Sequence, residues 1–267
     1  MSLYKLSDDH DNQLVLKIIG MGKFGIKAIE AIISTQHFTN DPRVAFICYE
    51  EESNNPEYLR QLSVSADMVI YLTENIDQLK SIYHYKPSHH CVAITTQSYN
   101  ELKQDHVTLF PFIDAVITNN KIQNFPPDPQ LSHNNFTYFY WALRTIIDPI
   151  FGISIIGFDY ADMKEILNGF VMFAVGFNSH TEITASAYKN AIMELKKNGV
   201  ELNTVDISHA LTNIAVEHID LDELDTIENI SHSIFSKNTV LKTALTTNDT
   251  ANSLLVTLMV VFSMDKT

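Results

Sequence analysis

Gly20-Met21-Gly22-Lys23-Phe24-Gly25 fits the pattern G-x-G-x-x-G. That pattern has chemical meaning only between a strand and a helix. Residues 14–19, LVLKII, precede it as a short apolar run that reads as a buried strand. Residues 24–33, FGIKAIEAII, follow it with helical periodicity through Ile26, Ile29, Ile32 and Ile33. In this setting glycines let the backbone turn tightly and approach a phosphate. The amides of the helix N-terminus then face the anion, aided by the helix dipole. Gly20, Gly22 and Gly25 are therefore candidate ligand-binding residues, and Lys23 would add a point charge. The same spacing also serves a purely structural turn whose third glycine allows close packing, and both readings stand.

Two sets of acids accompany the glycines. Glu50, Glu51 and Glu52 follow the predicted strand 43–49, where a ribose-binding acid stands in a dinucleotide fold. A solvated loop has the same composition. Asp159 and Asp162 stand three residues apart at the start of a predicted helix over 160–168. That spacing suits Asp159 as an N-cap, with Asp162 favoured by the dipole in the first turn. Among eleven histidines, His84, His89 and His90 cluster in a predicted turn. No pair lies at i, i+4 on a helix beside an acid, so surface or turn histidines and no metal site are expected. Cys48 and Cys91 form no framework and are expected to be buried thiols in a reducing compartment. No G-x-S-x-G elbow is present.

The elements that would carry these residues alternate. Strands are predicted at 14–19, 43–49, 67–72, 91–96 and 113–118, with helices at 24–33, 56–63 and 74–84. This order argues for a doubly wound parallel sheet. Pro126, Pro127 and Pro129 then interrupt the pattern. A linking helix is predicted over 132–148, capped by Ser132 or Asn134 and stopped at Asp148-Pro149. Its apolar face would be Phe136, Phe139, Tyr140, Leu143 and Ile147, with Tyr138 and Trp141 also on the packed side. Beyond it, strands at 170–177 and 210–217 alternate with helices at 181–197 and 220–236, the first of these helices stopped by Gly199. Two closing strands, TVLKTALTT and SLLVTLMVVFS, are expected to pair as a hairpin. The expected domains are a nucleotide-binding-like α/β domain at 14–131, the linking helix at 132–148, and a smaller α+β domain at 153–267.

Composition removes some functions. Eighteen basic residues against 32 acidic ones give a formal net charge of −14. Nucleic-acid binding depends on neutralising phosphates, so it is not expected, and an anionic membrane is disfavoured for the same reason. No apolar run is long enough to span a bilayer, and residues 1–13 are polar without the apolar centre of a signal peptide. A cytoplasmic protein is expected. At 45% hydrophobic residues the chain can fill a core.

The second half carries a resemblance. Gly157-Phe-Asp159-Tyr-Ala-Asp162-Met resembles the N-x-D-F-A-D-V motif of the FtsZ/tubulin superfamily, and it stands just after the linking helix, as in that family. GFVMFAVGFNSHTEITASAYKNAIMEL is similar to the family's G-x-A-x-x-G-x-G strand and adjoining helix. The stretch from ALTNIAVE to SLLVTLMVVF is similar to its closing layer. In the first half, VLKIIGMGKFGIKAIEAI resembles the family's opening glycine loop, SADMVIYLTE the strand ahead of its phosphate loop, and FPFIDAVITNNKI a later segment. The likeness runs in order over residues 14–263. It implies an α/β fold with a Rossmann-like parallel sheet, a linking helix and an α+β C-terminal domain.

The departures shape the function that the resemblance implies. The family's G-G-G-T-G-T-G signature should follow Val69–Leu72, but Thr73-Glu74-Asn75-Ile76-Asp77 stands there. A phosphate nest needs exposed amides in conformations that glycine adopts without steric cost. Glu74 and Asp77 would also repel a triphosphate. The resemblance assigns Asp159 and Asp162 the role of reaching the next subunit's nucleotide and positioning water, here as a vestigial pair. The leading expectation is a degenerate FtsZ-like protein that assembles with itself, or binds another FtsZ-like or cell-division protein, without efficient GTP turnover. No cofactor is then needed. One alternative is a GTPase that holds GTP or GDP at Gly20–Gly25 and hydrolyses it across a subunit interface. The other is a dinucleotide (NAD)-binding protein using G-x-G-x-x-G and Glu50–Glu52.

Overall fold

The computed structural model describes residues 14–50, 56–82, 88–102, 112–119, 125, 136–156, 158–178, 184–216, 220–247 and 254–263. The chain divides into two compact units. One comprises residues 1–119 and 127–140, the other residues 120–126 and 141–267.

The first unit is built on five parallel strands. In chain order they are β1 (Leu16–Met21), β2 (Val44–Tyr49), β3 (Met68–Thr73), β4 (His90–Thr95) and β5 (Ala115–Ile117), and in space they run β2-β1-β3-β4-β5. Every residue of β3 and β4 is buried, as expected for parallel strands covered on both faces. α1 (Gly22–Ser34) buries Ala28, Ile29 and Ile32, one face of the isoleucine pattern seen in the sequence. α2 (Pro56–Ser63) matches its prediction. The segment expected as a helix over 74–84 is instead a 3-10 helix, Ile76–Ile82, with Ile76 and Leu79 buried. α3 (Tyr99–Leu102) is a single turn.

The second unit has strands β6 (Ser154–Ile156), β7 (Gly169–Asn178), β8 (Ile207–Ala215), β9 (Val240–Thr246) and β10 (Leu254–Phe262), ordered β7-β10-β8-β9-β6. β9 and β10 do not form the expected hairpin. β10 inserts between β7 and β8, antiparallel to both, and β9 lies parallel to β8 on its other side. A stretch of β10 that is apolar except for Thr257 fills the centre, with every residue from Leu254 to Val261 buried. An edge position beside β9 would leave one flank of that run without a partner strand. β6 was not anticipated, and it pairs with β9. The helices are α5 (Tyr160–Ile166), α6 (Thr184–Lys197) and α7 (Leu221–Ile234). Gly199, at φ +81°, ends α6 as the sequence indicated.

In chain order, α4 (Thr137–Phe151), the helix predicted to link the two halves, follows β5. It does not stop at Asp148-Pro149, since Pro149 lies inside its last turn. Proline there forfeits only one hydrogen bond, and the Gly152 N–H closes the end onto the Asp148 carbonyl at 2.8 Å. Tyr138 and Trp141 are buried as expected, but the expected apolar face still understates the burial, because Ala142, Arg144 and Ile146 are buried too. Arg144 is tolerated there because it pairs with Asp148 at 2.8 Å and lies over the Trp141 ring. Ser132 and Asn134, the predicted caps, lie outside the described residues. Among the described residues no helix is long and apolar enough to cross a membrane.

Two side-chain expectations are corrected. Cys48 is exposed rather than buried, because β2 is an edge strand with a half-covered face; Cys91, in central β4, is fully buried. His90 is not a surface histidine. It is 5% exposed, and its Nδ1 lies 3.2 Å from the Asp114 carboxylate, which also accepts from the Cys91 N–H at 2.7 Å. Neighbouring His89 is half-buried, and burial, reinforced by the Lys17 cation, lowers its pKa to about 4. Its unfolded value is about 6.5, so the unfolded chain binds the extra proton first as the pH falls. Stability contributed by neutral His89 is thus complete above about pH 6.5 and is lost towards pH 4. His89→Asn should flatten the pH dependence of the urea midpoint across this window; an unchanged slope would refute the assignment.

Candidate functional site

The glycine turn joins β1 to α1 at the C-terminal end of the first unit's sheet. This is the end where ligands sit in open α/β folds. β1 and β3 are adjacent parallel strands, with Gly20 opposite Leu72. A Cβ on Gly20 would lie 2.4 Å from the Gly25 carbonyl oxygen, and one on Gly25 would lie 2.3 Å from the Leu72 carbonyl oxygen. Both distances are impossible for a real side chain, so these glycines let the start of α1 press against the ends of β1 and β3. Gly22 has φ +61°, the left-handed region that other residues enter at a cost of about 1–2 kcal/mol. All three glycines thus have a structural reason to be glycine. The anion-binding elements are also in place. Met21 at the N-cap of α1 makes no side-chain capping bond, no acid stands in the first turn, and Lys23 is exposed.

The turn after β3 shares this end of the sheet. Three of its backbone amides are already committed. The Ile76 N–H donates to the Gln97 side-chain oxygen at 2.8 Å, the Asp77 N–H to the Asn75 side-chain oxygen at 2.9 Å, and the Gln78 N–H to the Asn75 carbonyl at 3.0 Å. The carbonyls are engaged as well. Glu74 accepts from the Thr96 and Thr95 hydroxyls at 2.8 and 3.2 Å. The Thr73 hydroxyl donates to the Asn75 carbonyl at 2.7 Å and also contacts the Gln78 side-chain oxygen. Ile76 and Leu79 pin the turn to the core, while Glu74 and Asp77 stay exposed. An incoming phosphate would have to displace three amide bonds worth about 1 kcal/mol each. It would also meet two negative charges. Of the Glu50–Glu52 cluster, Glu50 is exposed and the other two lie outside the described residues.

Asp159 and Asp162 belong to the second unit. They form a reciprocal capping box on α5. The Asp159 carboxylate accepts from the Asp162 N–H at 3.0 Å, and the Asp162 carboxylate accepts from the Asp159 N–H at 3.2 Å. The capping reading of the sequence is therefore the local structure. Lys242 on β9 adds an interaction that no local pattern announces. Its ammonium donates to Asp162 Oδ1 at 2.7 Å and lies 3.6 Å from Glu165. The Lys242 hydrogen bond, then the Asp159 amide, holds the Asp162 carboxyl below its usual range. Gly157 lies outside the described residues.

The sequence missed the residues that close the turn after β3. Asn75 was legible, since an asparagine that accepts from an amide two residues on is a common turn device. Gln97 was not, because it comes from 21 residues away, and neither was the Lys242 contact with Asp162, which spans 80 residues.

No family model and no curated protein matches the sequence. Solved structures do match. An FtsZ mutant from M. jannaschii superposes with a TM-score of 0.67 at 15% identity, covering 94% of this chain and 92% of that one. The chain has the FtsZ/tubulin fold. CetZ from Methanosaeta thermophila gives a TM-score of 0.62 at 14% identity, covering 94% of this chain and 87% of that one. CetZ2 from Haloferax volcanii, solved as a GTPγS-bound protofilament, gives 0.58 at 13% identity, covering 94% of each. The expected α/β architecture is thereby established. The comparisons lend no support to the dinucleotide-binding alternative.

Two outcomes check this geometry. Asp159→Ala should destabilise the protein by about 1 kcal/mol in urea titration, the usual worth of an N-cap; no loss would show that the cap carries no stability. Lys242→Ala should raise the Asp162 carboxyl pKa towards the ordinary aspartate value, read by NMR titration of its side-chain carbon. An unmoved value would rule out Lys242 as the main cause.

Proposed function

We propose that this protein is a degenerate FtsZ-like protein that acts by assembly, with itself or with another FtsZ-like or cell-division protein, without efficient GTP turnover. The observation that carries the reading is the set of amides at Ile76, Asp77 and Gln78, each bonded within the chain. Amides so bonded offer a phosphate nothing, and the exposed Glu74 and Asp77 oppose it. Asp162 is likewise engaged by Lys242. Assembly draws its support from the fold: the CetZ2 neighbour was solved as a protofilament. Contacts that repeat head to tail build filaments without needing nucleotide chemistry in every case. The domain division at 14–131, 132–148 and 153–267 belongs to this reading, with the linking helix joining a nucleotide-binding-like half to an assembling one.

A second reading keeps nucleotide at Gly20, Gly22, Lys23 and Gly25, with turnover through Asp159 and Asp162. In its favour are the uncapped first turn of α1 and the exposed Lys23. One experiment separates the two. Purified protein is pelleted with and without GTP and Mg²⁺ while phosphate release is followed. The proposed function expects equal pelleting in both conditions and phosphate release at the buffer rate. Phosphate release that climbs with protein concentration would favour the GTPase, and a strict monomer in every condition would overturn assembly altogether.

A further inference from the structure

α6 and α7 pack side by side in the second unit. The Tyr188 and Ser231 hydroxyls are 2.7 Å apart, and the Glu223 carboxylate accepts from the Thr184 N–H at 3.2 Å and the Thr184 hydroxyl at 2.5 Å. Each helix buries one side, and the residues left outside differ sharply in charge.

On α6, Lys189, Met193, Lys196 and Lys197 are exposed. Their spacing of three, four and seven puts Lys189, Met193 and Lys196 in one stripe. Met193 is 50% exposed. Lys197 pairs with Glu194 in its own helix at 2.6 Å. Lys189 and Lys196 have no ion-pair partner among the described residues. On α7, Leu221, Asp225, Glu228 and His232 are exposed at the same helical spacing. Leu221 is 74% exposed, and the ion-pair partner of Glu228 among the described residues is His232 at 3.7 Å. Both stripes thus combine a bare apolar side chain with charges of one sign, positive on α6 and negative on α7.

Helix dipoles explain part of this pattern. Lys196 and Lys197 stand in the last turn of α6, and Asp222 and Glu223 in the first turn of α7. Lys189, Asp225 and Glu228 lie outside those turns, so the dipole does not account for them. The rest of the chain sharpens the contrast. A net charge of −14 makes two copies repel one another, so any self-association must run through local complementary patches. The α6 stripe is a basic patch on this acidic protein, and the α7 stripe is opposite to it in sign.

We infer that the α6 stripe of one copy docks on the α7 stripe of the next, with the Lys189 and Lys196 ammonium groups converging on Asp225 and Glu228 from either side. The contact joins unlike stripes. One such contact leaves each copy with one unused stripe, opposite in sign on the two, to which a further copy can add. This inference rests on the self-assembly reading above and names a surface for it.

The test uses two charge-reversed full-length proteins, K189E/K196E and D225K/E228K, with folding checked by circular dichroism. All four positions are exposed, so both variants should fold as the wild type does. Sedimentation at low salt should show each variant associating roughly tenfold more weakly than wild type, the scale of two lost surface pairs turned repulsive. Mixing the two variants should restore association, because their stripes are again opposite in sign. Overall repulsion predicts otherwise: D225K/E228K, with less net negative charge, would then associate more strongly than wild type. Wild-type assembly with both variants equally competent would overturn the docking surface and leave the self-assembly reading standing. Weakened variants that do not recover on mixing would overturn the pairing of these two stripes. A wild type that stays monomeric would overturn both.

Discussion

The side chains of Asn75 and Gln97 hold the backbone after β3 in a closed set of hydrogen bonds, with Ile76 and Leu79 as apolar anchors beneath it. A peptide amide has one proton to give. Once given to a side chain of the same protein, it is unavailable to a ligand unless the ligand can outcompete that partner. The α/β scaffold around this turn is what a phosphate site would need: parallel strands ending together, a glycine turn and a helix N-terminus aimed at the same edge. Within that frame, three amides of the turn are bonded to the chain itself.

The glycine turn illustrates how one residue type answers two demands. Gly20 and Gly25 are required because the start of α1, the end of β1 and the end of β3 come within backbone contact. That packing is needed whether or not an anion is bound. Glycine retention therefore speaks first for the fold. Asp159 and Asp162 behave in the same way, since the capping box and Lys242 engage both carboxylates within their own unit. Features that the resemblance attaches to chemistry prove, in each case, to have local work in holding the structure.

The proposed assembly needs surfaces rather than a reacting centre. In a strongly acidic chain, association is favoured where the charge is locally reversed. The lysines of α6 are such a reversal, and the acids of α7 are opposite to them in sign.

Much of the fold was legible in the residues. Periodicity placed α1 and α2, continuous apolar runs placed β3 and β4, and Gly199 marked the end of α6. The capping role of Asp159 could be read from its spacing to Asp162. Other features depended on residues far apart in the chain. β10 lies between β7 and β8 because its buried run needs a partner on both flanks, which a hairpin with β9 would not give. Cys48 is exposed because β2 falls at an edge, and His90 is buried because β4 falls near the centre. The sequence by itself determined that no glycine follows Leu72 and that two acids stand there, because residue identity is a local property. Only the tertiary structure decided that the Ile76 amide of that turn is already taken, because Gln97, which takes it, reaches it from 21 residues away, where no local pattern records the contact.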